Sequence, residues 1–133
     1  MVIRGIKVKD LMEKNVKTIE KERNILNAAK MMRDHNVSSL IIKPDDSGDA
    51  VGIITRKDIL EALPDDLADD VFRTVEHVMT KPAITINSNL SIYNCQQLMR
   101  MVGVRRMPVV EGTDVVGILS NSDIFMKLVE DIN

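Results

Sequence analysis

Two stretches of the chain repeat one pattern: Val51-Gly52-Ile53-Ile54-Thr55-Arg56-Lys57-Asp58-Ile59-Leu60 and, 65 positions later, Val116-Gly117-Ile118-Leu119-Ser120-Asn121-Ser122-Asp123-Ile124-Phe125. In both, a glycine and two aliphatic residues precede a hydroxyl residue, two variable polar residues, an aspartate and an isoleucine. A tandem repeat fixes the architecture of a protein, because each copy is one structural unit that packs against the next. We therefore interpret the chain as two copies of one unit.

The preceding residues follow the same duplication at an offset of 67 positions. Identical residues recur in this register, among them Met12/Met79, Thr18/Thr85, Ile19/Ile86, Ile25/Ile92, Met32/Met99 and Val37/Val104. The offset changes by two within segment 43–50, which is longer than its counterpart 111–114. Loops accept insertions more readily than paired strands do. The duplication predicts two domains, 1–66 and 67–133, that form one compact module.

The composition indicates a globular protein with a charged, solvated surface. The chain has 133 residues, a formal net charge of -2 and 29% charged residues. Nucleic-acid-binding proteins usually carry a basic excess, so we expect no DNA or RNA partner. The single cysteine, Cys95, excludes an internal disulfide and a thiol cluster for a metal. No apolar run reaches the roughly 18 residues of a membrane span, and residues 1–5 lack a signal-peptide core, so we expect a cytoplasmic protein without membrane insertion.

Each copy is predicted to contain a helix, two strands and a second helix after a short extended lead. In the first copy we expect a helix from its N-cap Asn24 to Asn36, strands over 37–42 and 51–54, and a helix between Thr55 and Pro64. The inward side chains of that last helix are predicted to be Ile59, Leu60 and Leu63.

The second copy follows the same order. Ser91 is the predicted N-cap of a helix that Gly103 ends, with an inner face of Ile92, Cys95, Met99 and Val102. Strands are predicted over 104–110 and 115–119, and a last helix over 121–131. Pro108 lies early in the first strand, and because proline cannot donate to a ladder, we expect that strand at a sheet edge.

The chemistry of the repeated motif centres on Asp58 and Asp123. Each lies three residues after a hydroxyl residue, Thr55 or Ser120, at the start of a predicted helix. The hydroxyl and the free N–H groups there can bind a phosphate, while the carboxylate accepts two ribose hydroxyls. The same spacing is that of a capping box, with Asp in place of Glu or Gln. The spacing leaves both interpretations open and favours capping.

The ordered set of motifs resembles the cystathionine-beta-synthase-type (CBS) domain, twice over. In the first copy the resemblance lies in Val8-Lys9-Asp10-Leu11-Met12, Val16-Lys17-Thr18-Ile19, Ala28-Ala29-Lys30-Met31-Met32, Val37-Ser38-Ser39-Leu40-Ile41-Ile42 and Gly52 to Leu60. In the second copy it lies in Val78-Met79-Thr80, Thr85-Ile86, Gly103-Val104-Arg105-Arg106-Met107-Pro108-Val109-Val110 and Gly117 to Ile124. Together these segments cover nearly the whole chain.

The resemblance implies an α+β fold in which two βαββα units pack through their sheets with pseudo-twofold symmetry. Pairs of this kind commonly bind adenosine-containing ligands, such as AMP, ADP, ATP or S-adenosylmethionine, in clefts between the units. No cofactor is required for this binding. Such pairs often form homodimers and regulate an attached or associated protein, and we expect a stand-alone module here. With the resemblance, nucleotide binding is favoured over simple capping at Thr55, Asp58, Ser120 and Asp123.

The resemblance also marks positions outside the motif. Thr18 and Thr85 match positions that contact the ligand, although threonine in an extended lead also reflects strand propensity. Val37, Met107 and Pro108 match positions that line the base pocket. The expected nucleotide site therefore includes residues from the lead and from the first strand of each copy.

Arg105 and Arg106 distinguish the second copy from the first. Adjacent residues on a strand point to opposite faces, so one arginine can reach a phosphate while the other faces solvent. Their counterparts, Ser38 and Ser39, carry no charge. We therefore expect the two clefts to differ.

Three functions are compatible with these features. The first is a regulatory module that senses an adenosine-containing nucleotide and relays its occupancy to a partner protein. The alternative is a ligand-independent interaction or assembly module, which acts through its dimer surface alone. An enzyme is the weakest hypothesis, because a hydroxyl and a carboxylate without an activated nucleophile, a metal or a lysine lack a catalytic constellation.

Overall fold

The computed structural model describes residues 5–46, 48–63 and 73–132. The chain divides into two compact units, each with helices and a small sheet, which confirms the predicted α+β class. The central unit comprises Lys17–Ala83, and the terminal unit comprises Met1–Val16 together with Ile84–Asn133. No helix within the described ranges is long and apolar enough to cross a membrane.

The central unit has the order β, α, β, β, α followed by one helical turn. Its elements are α2 (Ile25–His35), β1 (Ser39–Ile42), β2 (Gly52–Thr55), α3 (Arg56–Glu61) and α4 (Val75–Val78). The lead contributes a single parallel bridge, from Thr18 to Ile41 of β1. β1 and β2 are antiparallel, with Ser39 opposite Thr55.

The terminal unit repeats the β, α, β, β, α order with a larger sheet, and its helical turn comes first. Its elements are α1 (Val8–Leu11), β3 (Ile86–Asn87), α5 (Ile92–Val102), β4 (Arg106–Glu111), β5 (Asp114–Ser120) and α6 (Asn121–Ile132). β4 is the central strand, parallel to β3 and antiparallel to β5. The edge position predicted from Pro108 is therefore wrong. Proline is tolerated there because β3 is short and its pairing with β4 begins one residue later, at Val109.

The signals at the ends of α2 and α5 act as the sequence predicts. Asn24 and Ser91 each accept a hydrogen bond from the backbone N–H three residues later, at 2.8 and 3.1 Å. Asn36 and Gly103 end the helices in the left-handed conformation, with φ of 54° and 73°. Local capping chemistry therefore sets both helix boundaries.

A separate hydrophobic cluster fills each unit. The central cluster contains Ile19, Ile25, Ala28, Met32, Leu40, Ile42, Ile54, Ile59 and Val75. The terminal cluster contains Val8, Ile86, Ile92, Cys95, Met99, Met107, Val109, Leu119 and Ile124. Each member of one cluster has its repeat equivalent in the other, such as Met32 and Met99, and the predicted inward position of Met99 is confirmed.

Three side chains predicted to face inward are exposed instead. Leu60 is 69% exposed, Leu63 42% and Val102 40%. α3 ends at Glu61, before Leu63, and its one buried side chain is Ile59. Leu60 follows Ile59 directly, and a rotation of about 100° per residue turns it away from the core.

The leader of each copy, the segment that carries α1 or α4, packs in the unit that contains the other copy's strands. Glu13 and Ile118 exchange two backbone hydrogen bonds, at 2.8 and 3.0 Å. The equivalent pair, Thr80 and Ile53, exchanges two at 2.9 and 3.0 Å. The compact units thus divide the chain differently from the predicted domains 1–66 and 67–133. Residues 64–67, at the predicted helix end and domain boundary, lie outside the described residues.

The glycine of the repeated motif permits this close approach of the leader. A Cβ atom added to Gly117 would lie 2.7 Å from Sδ of Met12 and 3.0 Å from the carbonyl oxygen of Glu13. At Gly52 it would lie 3.1 Å from Sδ of Met79. The two methionines are equivalent in the repeat, so the same contact explains both glycines.

Candidate functional site

The Thr55–Asp58 motif forms where β2 passes into α3. The backbone N–H of Thr55 donates to Oδ2 of Asp58 at 2.8 Å, and the Thr55 hydroxyl donates to the same oxygen at 2.9 Å. The N–H of Asp58 donates in return to Oγ1 of Thr55 at 3.3 Å. These bonds close a capping box between two half-buried side chains.

The Ser120–Asp123 motif forms the same arrangement between β5 and α6. The N–H of Ser120 donates to Oδ2 of Asp123 at 2.9 Å, and the N–H of Asp123 donates to Oγ of Ser120 at 3.2 Å. The capping alternative is therefore realised in both copies. Within the described parts of the chain, Oδ1 of neither aspartate takes part in a hydrogen bond. That oxygen can accept a ligand hydroxyl without opening the cap.

The residue opposite each motif hydroxyl differs between the units. Ser39 of β1 is opposite Thr55, and Arg106 of β4 is opposite Ser120. Directly opposed residues share a sheet face, with Cβ atoms about 4.5–5.5 Å apart. The terminal unit thus places an arginine beside its motif hydroxyl, where the central unit has a second hydroxyl. Arg105, the other predicted arginine, precedes β4 and is exposed.

The two predicted threonines, Thr18 and Thr85, lie beside β1 and β4, on the side opposite the strand that ends in the motif hydroxyl. Thr18 bridges to β1, whose other neighbour is β2 with Thr55 at its end. Thr85 directly precedes β3, which pairs with β4 on the side opposite β5. Each threonine is therefore separated from its motif hydroxyl by one strand. Thr18 is exposed and Thr85 is half-buried.

The residues predicted to line a base pocket have different surroundings, each within its own unit. Met107 is fully buried in the core cluster of the terminal unit, and Val37 packs against the central cluster. Side chains alternate along a strand, so Pro108 lies on the face that carries Arg106 and Ser120. Met107 and Val37 thus have packing contacts, and the base-pocket role predicted for Met107, Val37 and Pro108 stays a prediction.

A groove that the sequence did not indicate opens in the central unit, where the lead and β1 diverge. It has a volume of about 290 Å³ and is lined by residues 18–22 and 42–45, so Thr18 lies in its wall. Nζ of Lys21 lies 2.7 Å from Oδ2 of Asp45, and this hydrogen bond raises the pKa of Lys21. The sequence feature that marks this groove is the alternation of charge over Glu20, Lys21 and Glu22.

A second ion pair ties the loop before β2 to the leader of the second copy. Oδ2 of Asp49 lies 2.8 Å from Nζ of Lys81, with both side chains about three-quarters buried. The hydrogen bond from Lys81 and a backbone bond from Asp45 lower the pKa of Asp49 to about 2. The ion pair therefore adds a side-chain contact to the backbone bonds that join the leader to β2.

Other groups capable of chemistry lie away from the motifs. Burial in the core of the terminal unit raises the pKa of the Cys95 thiol to about 11, which disfavours the nucleophilic thiolate. Across the described ranges, no group of three or more His, Cys, Asp or Glu side chains is placed to hold a metal ion.

Comparison with known proteins finds one family and several solved relatives. The sequence profile of the CBS domain matches the chain twice, over residues 8–65 and 75–130. The L-aspartate semialdehyde sulfurtransferase of Methanosarcina acetivorans is 33% identical over 118 residues, which are 88% of this chain and 23% of that enzyme. The chain spans 34% of the length of a second relative. The matched segment is thus a minor part of both relatives.

Two of the solved structures that match cover 94% of this chain. The CBS domain pair of protein MJ0100, in complex with 5′-methylthioadenosine and S-adenosyl-L-methionine, is 32% identical with a TM-score of 0.79. The match covers 94% of this chain and 97% of that one. A hexameric CBS-CP12 protein from bloom-forming cyanobacteria is 31% identical with a TM-score of 0.85, over 94% of this chain and 73% of that one.

Proposed function

Because the chain belongs to the CBS domain family, we propose that it is a ligand-sensing regulatory module. It binds an adenosine-containing small molecule at the Thr55–Asp58 and Ser120–Asp123 motifs and relays the occupied state to a partner protein. The observation that carries this proposal is the likeness to the MJ0100 domain pair, whose two ligands both contain adenosine. The candidate ligands are AMP, ADP, ATP and S-adenosylmethionine.

The geometry of the motifs supports this function. In each unit a half-buried aspartate keeps Oδ1 outside the cap and can accept a ribose hydroxyl. Thr18 or Thr85 flanks the same strand from the other side and adds a hydroxyl. Capping and ligand binding therefore use different oxygens of the same carboxylate.

We place the regulated activity in a partner protein. A ligand can act on a partner only if it binds two conformations of the module with different affinities. The similar segment within a sulfurtransferase supports an enzyme as that partner. For this chain itself we propose no catalytic role, because the motif hydroxyls are engaged in caps and the Cys95 thiol is buried.

Thermal unfolding with a ligand panel tests the proposal. Each adenosine ligand is added to the purified protein, with guanosine nucleotides as controls. A ligand at about 100 times its Kd stabilises the protein by about 2.7 kcal/mol, which raises Tm by several degrees. We expect Asp58→Ala and Asp123→Ala to reduce this shift. The absence of a shift with every adenosine ligand at millimolar concentration would contradict the proposal.

Asp10→Ala is the matched control for these variants. Oδ2 of Asp10 accepts the N–H of Lys7 at 2.8 Å, so Asp10 caps the backbone before α1 as the motif aspartates do, without a hydroxyl partner and outside the repeated motif. Loss of a cap costs about 0.5–2 kcal/mol. Asp10→Ala should therefore lower the basal Tm and leave the ligand-induced shift unchanged.

Self-association is a second proposed property, and it also supports the assembly alternative. The outer face of α6 exposes Phe125, Met126 and Val129, which are 62%, 56% and 38% exposed. The hexameric state of the CBS-CP12 relative is consistent with assembly in this family. We propose that two copies of this chain associate through α6. If assembly were the whole function, the oligomeric state would be independent of adenosine ligands.

A further inference from the structure

We propose that the groove of the central unit is a second binding site, which takes a free α-amino acid by its carboxylate and ammonium groups. The groove is lined by residues 18–22 and 42–45, so it adjoins the C-terminal end of β1. Thr55 is paired with Ser39, at the N-terminal end of that strand. The two ends are about 10 Å apart at roughly 3.3 Å per residue. The groove is therefore separate from the repeated motif and its proposed adenosine ligand.

Backbone groups on both sides of the groove lack hydrogen-bond partners. The N–H and C=O of Ile41 face the lead and bond with Lys17 and Ile19, at 2.9 and 3.0 Å. In a parallel ladder the next groups in line are those of Lys43 and Lys21. Within the described residues, neither the C=O of Lys43 nor the N–H of Lys21 is hydrogen-bonded. A donor on the lead and an acceptor after β1 are thus available to a ligand.

The terminal unit shows how the same place is closed. Ser88 and Val110 are the repeat equivalents of Lys21 and Lys43, and the N–H of Ser88 donates to the C=O of Val110 at 3.3 Å. The hydroxyl of Ser88 also donates to Oε1 of Glu111 at 2.9 Å. Backbone and side-chain bonds therefore join the two segments in that unit. The central unit forms only the side-chain contact, and its segments diverge.

The side chains supply a second donor and a second acceptor on the same two sides. Nζ of Lys21, on the lead, lies 2.7 Å from Oδ2 of Asp45, which follows β1. A partly exposed ion pair contributes little stability, so a ligand that brings both opposite charges can replace it at small cost. The lead then offers an N–H and an ammonium to the ligand carboxylate. The segment after β1 offers a carbonyl oxygen and a carboxylate to the ligand ammonium.

The charges and the size of the groove favour a small zwitterion. Its lining includes three carboxylates and two ammonium groups, those of Glu20, Glu22, Asp45, Lys21 and Lys43. A phosphate or another simple anion would face the carboxylates, and a simple amine would leave the donors of Lys21 unused. The volume of about 290 Å³ lies at the lower end of the roughly 300–1,000 Å³ of pockets for drug-sized ligands. A single amino acid is a ligand of this size and charge pattern.

NMR titration of the isotope-labelled protein with the standard L-amino acids, each at millimolar concentration, tests the proposal. We expect at least one of them to shift the amide resonances of Lys21 and Lys43. The amides of Ser88 and Val110 are the internal control and should not shift. The N-acetyl derivative of that amino acid lacks the ammonium, and its amide derivative lacks the carboxylate. Each derivative should bind at least about tenfold more weakly.

Two variants and two matched controls assign the site. Lys21→Gln and Asp45→Asn each remove one charge from the groove and should weaken binding by about 10- to 100-fold. Arg33→Gln and Asp34→Asn remove the same charges from an ion pair on α2 outside the groove, where the side chains are 72% and 60% exposed. These controls should leave binding within about twofold.

Three results would overturn the proposal. The first is that none of the amino acids shifts the resonances of Lys21 and Lys43. The second is equal binding of an amino acid and either of its derivatives, because recognition would then not require both charges. The third is an equal loss in Lys21→Gln and Arg33→Gln, which would indicate attraction by net charge. Adenosine binding is measured separately, so its failure would not affect this test.

Discussion

At the scale of single residues, the leader methionine restricts the size of the side chain that can replace the glycine of the motif. A side chain at position 117 would meet Sδ of Met12 at 2.7 Å and backbone oxygen of Glu13 at 3.0 Å. The methionine can move, but the backbone atom is fixed by its bonds to Ile118. We expect Gly117→Ala to destabilise the protein by about 1–3 kcal/mol, the usual cost of overpacking. Chemical denaturation measures this change.

Gly5→Ala is the control for that substitution, because none of the described residues beyond its chain neighbours has an atom within 4 Å of a Cβ at Gly5. It should be close to neutral. Equal stability of the two variants would show that the leader adjusts freely to a side chain at position 117.

The Asp49–Lys81 pair predicts a specific acid sensitivity. The pKa of Asp49 is lowered from 3.8 to about 2, so the folded state binds this proton less tightly than the unfolded state. The pair therefore contributes stability above pH 3.8, and this contribution is lost as the pH falls to about 2. Lys81→Met should be less stable than the unmodified protein at pH 5 to 7, and the difference should vanish near pH 2.

Urea unfolding across this pH range measures the effect, with Lys57→Met as the control. Lys57 lies 3.8 Å from Glu61, and both side chains are mostly exposed, so its loss should have little effect at any pH. A stability difference for Lys81→Met that stays constant from pH 6 to pH 2 would contradict the role of Asp49.

At the scale of elements, sequence patterns predict helix ends better than strand environments. Asn24 and Ser91 cap their helices through local bonds that depend only on residues nearby. The burial of Met107 and the central place of β4 depend on which strands pair, and a single strand's sequence does not contain that information. The resemblance predicted which residues belong to the motif, whereas only the strand register shows that Arg106 lies opposite Ser120.

The outer face of α6 carries the prediction for self-association. Phe125, Met126 and Val129 are spaced i, i+1 and i+4 and form one exposed apolar stripe. Burial of a phenylalanine contributes roughly 1.5–3 kcal/mol. Phe125→Asp should therefore weaken the dimer at least tenfold in sedimentation velocity. The control is Leu60→Asp, the equivalent position on α3, which is 69% exposed. Identical association of all three proteins would exclude this face of α6.

At the scale of the whole molecule, the duplication was predictable and the partition into compact units was not. The 67-residue offset correctly pairs Met12 with Met79 and Val8 with Val75, which occupy equivalent places in the two units. Sequence similarity shows which segments correspond, but not which copy each segment packs against. The crossing of the leaders is visible only in long-range backbone bonds such as those between Glu13 and Ile118.

The exchanged leaders bear on how such a chain arises. A single ancestral copy would have had no second copy in its own chain to receive its leader. In a dimer of two such chains, the leader of each chain could pack against the strands of the other, as in a domain-swapped dimer. Fusion of the two genes would give one polypeptide in which the repeated segment and the compact unit begin and end at different residues. The chain crosses between the units after Val16 and after Ala83, which is the arrangement that such a fusion would preserve.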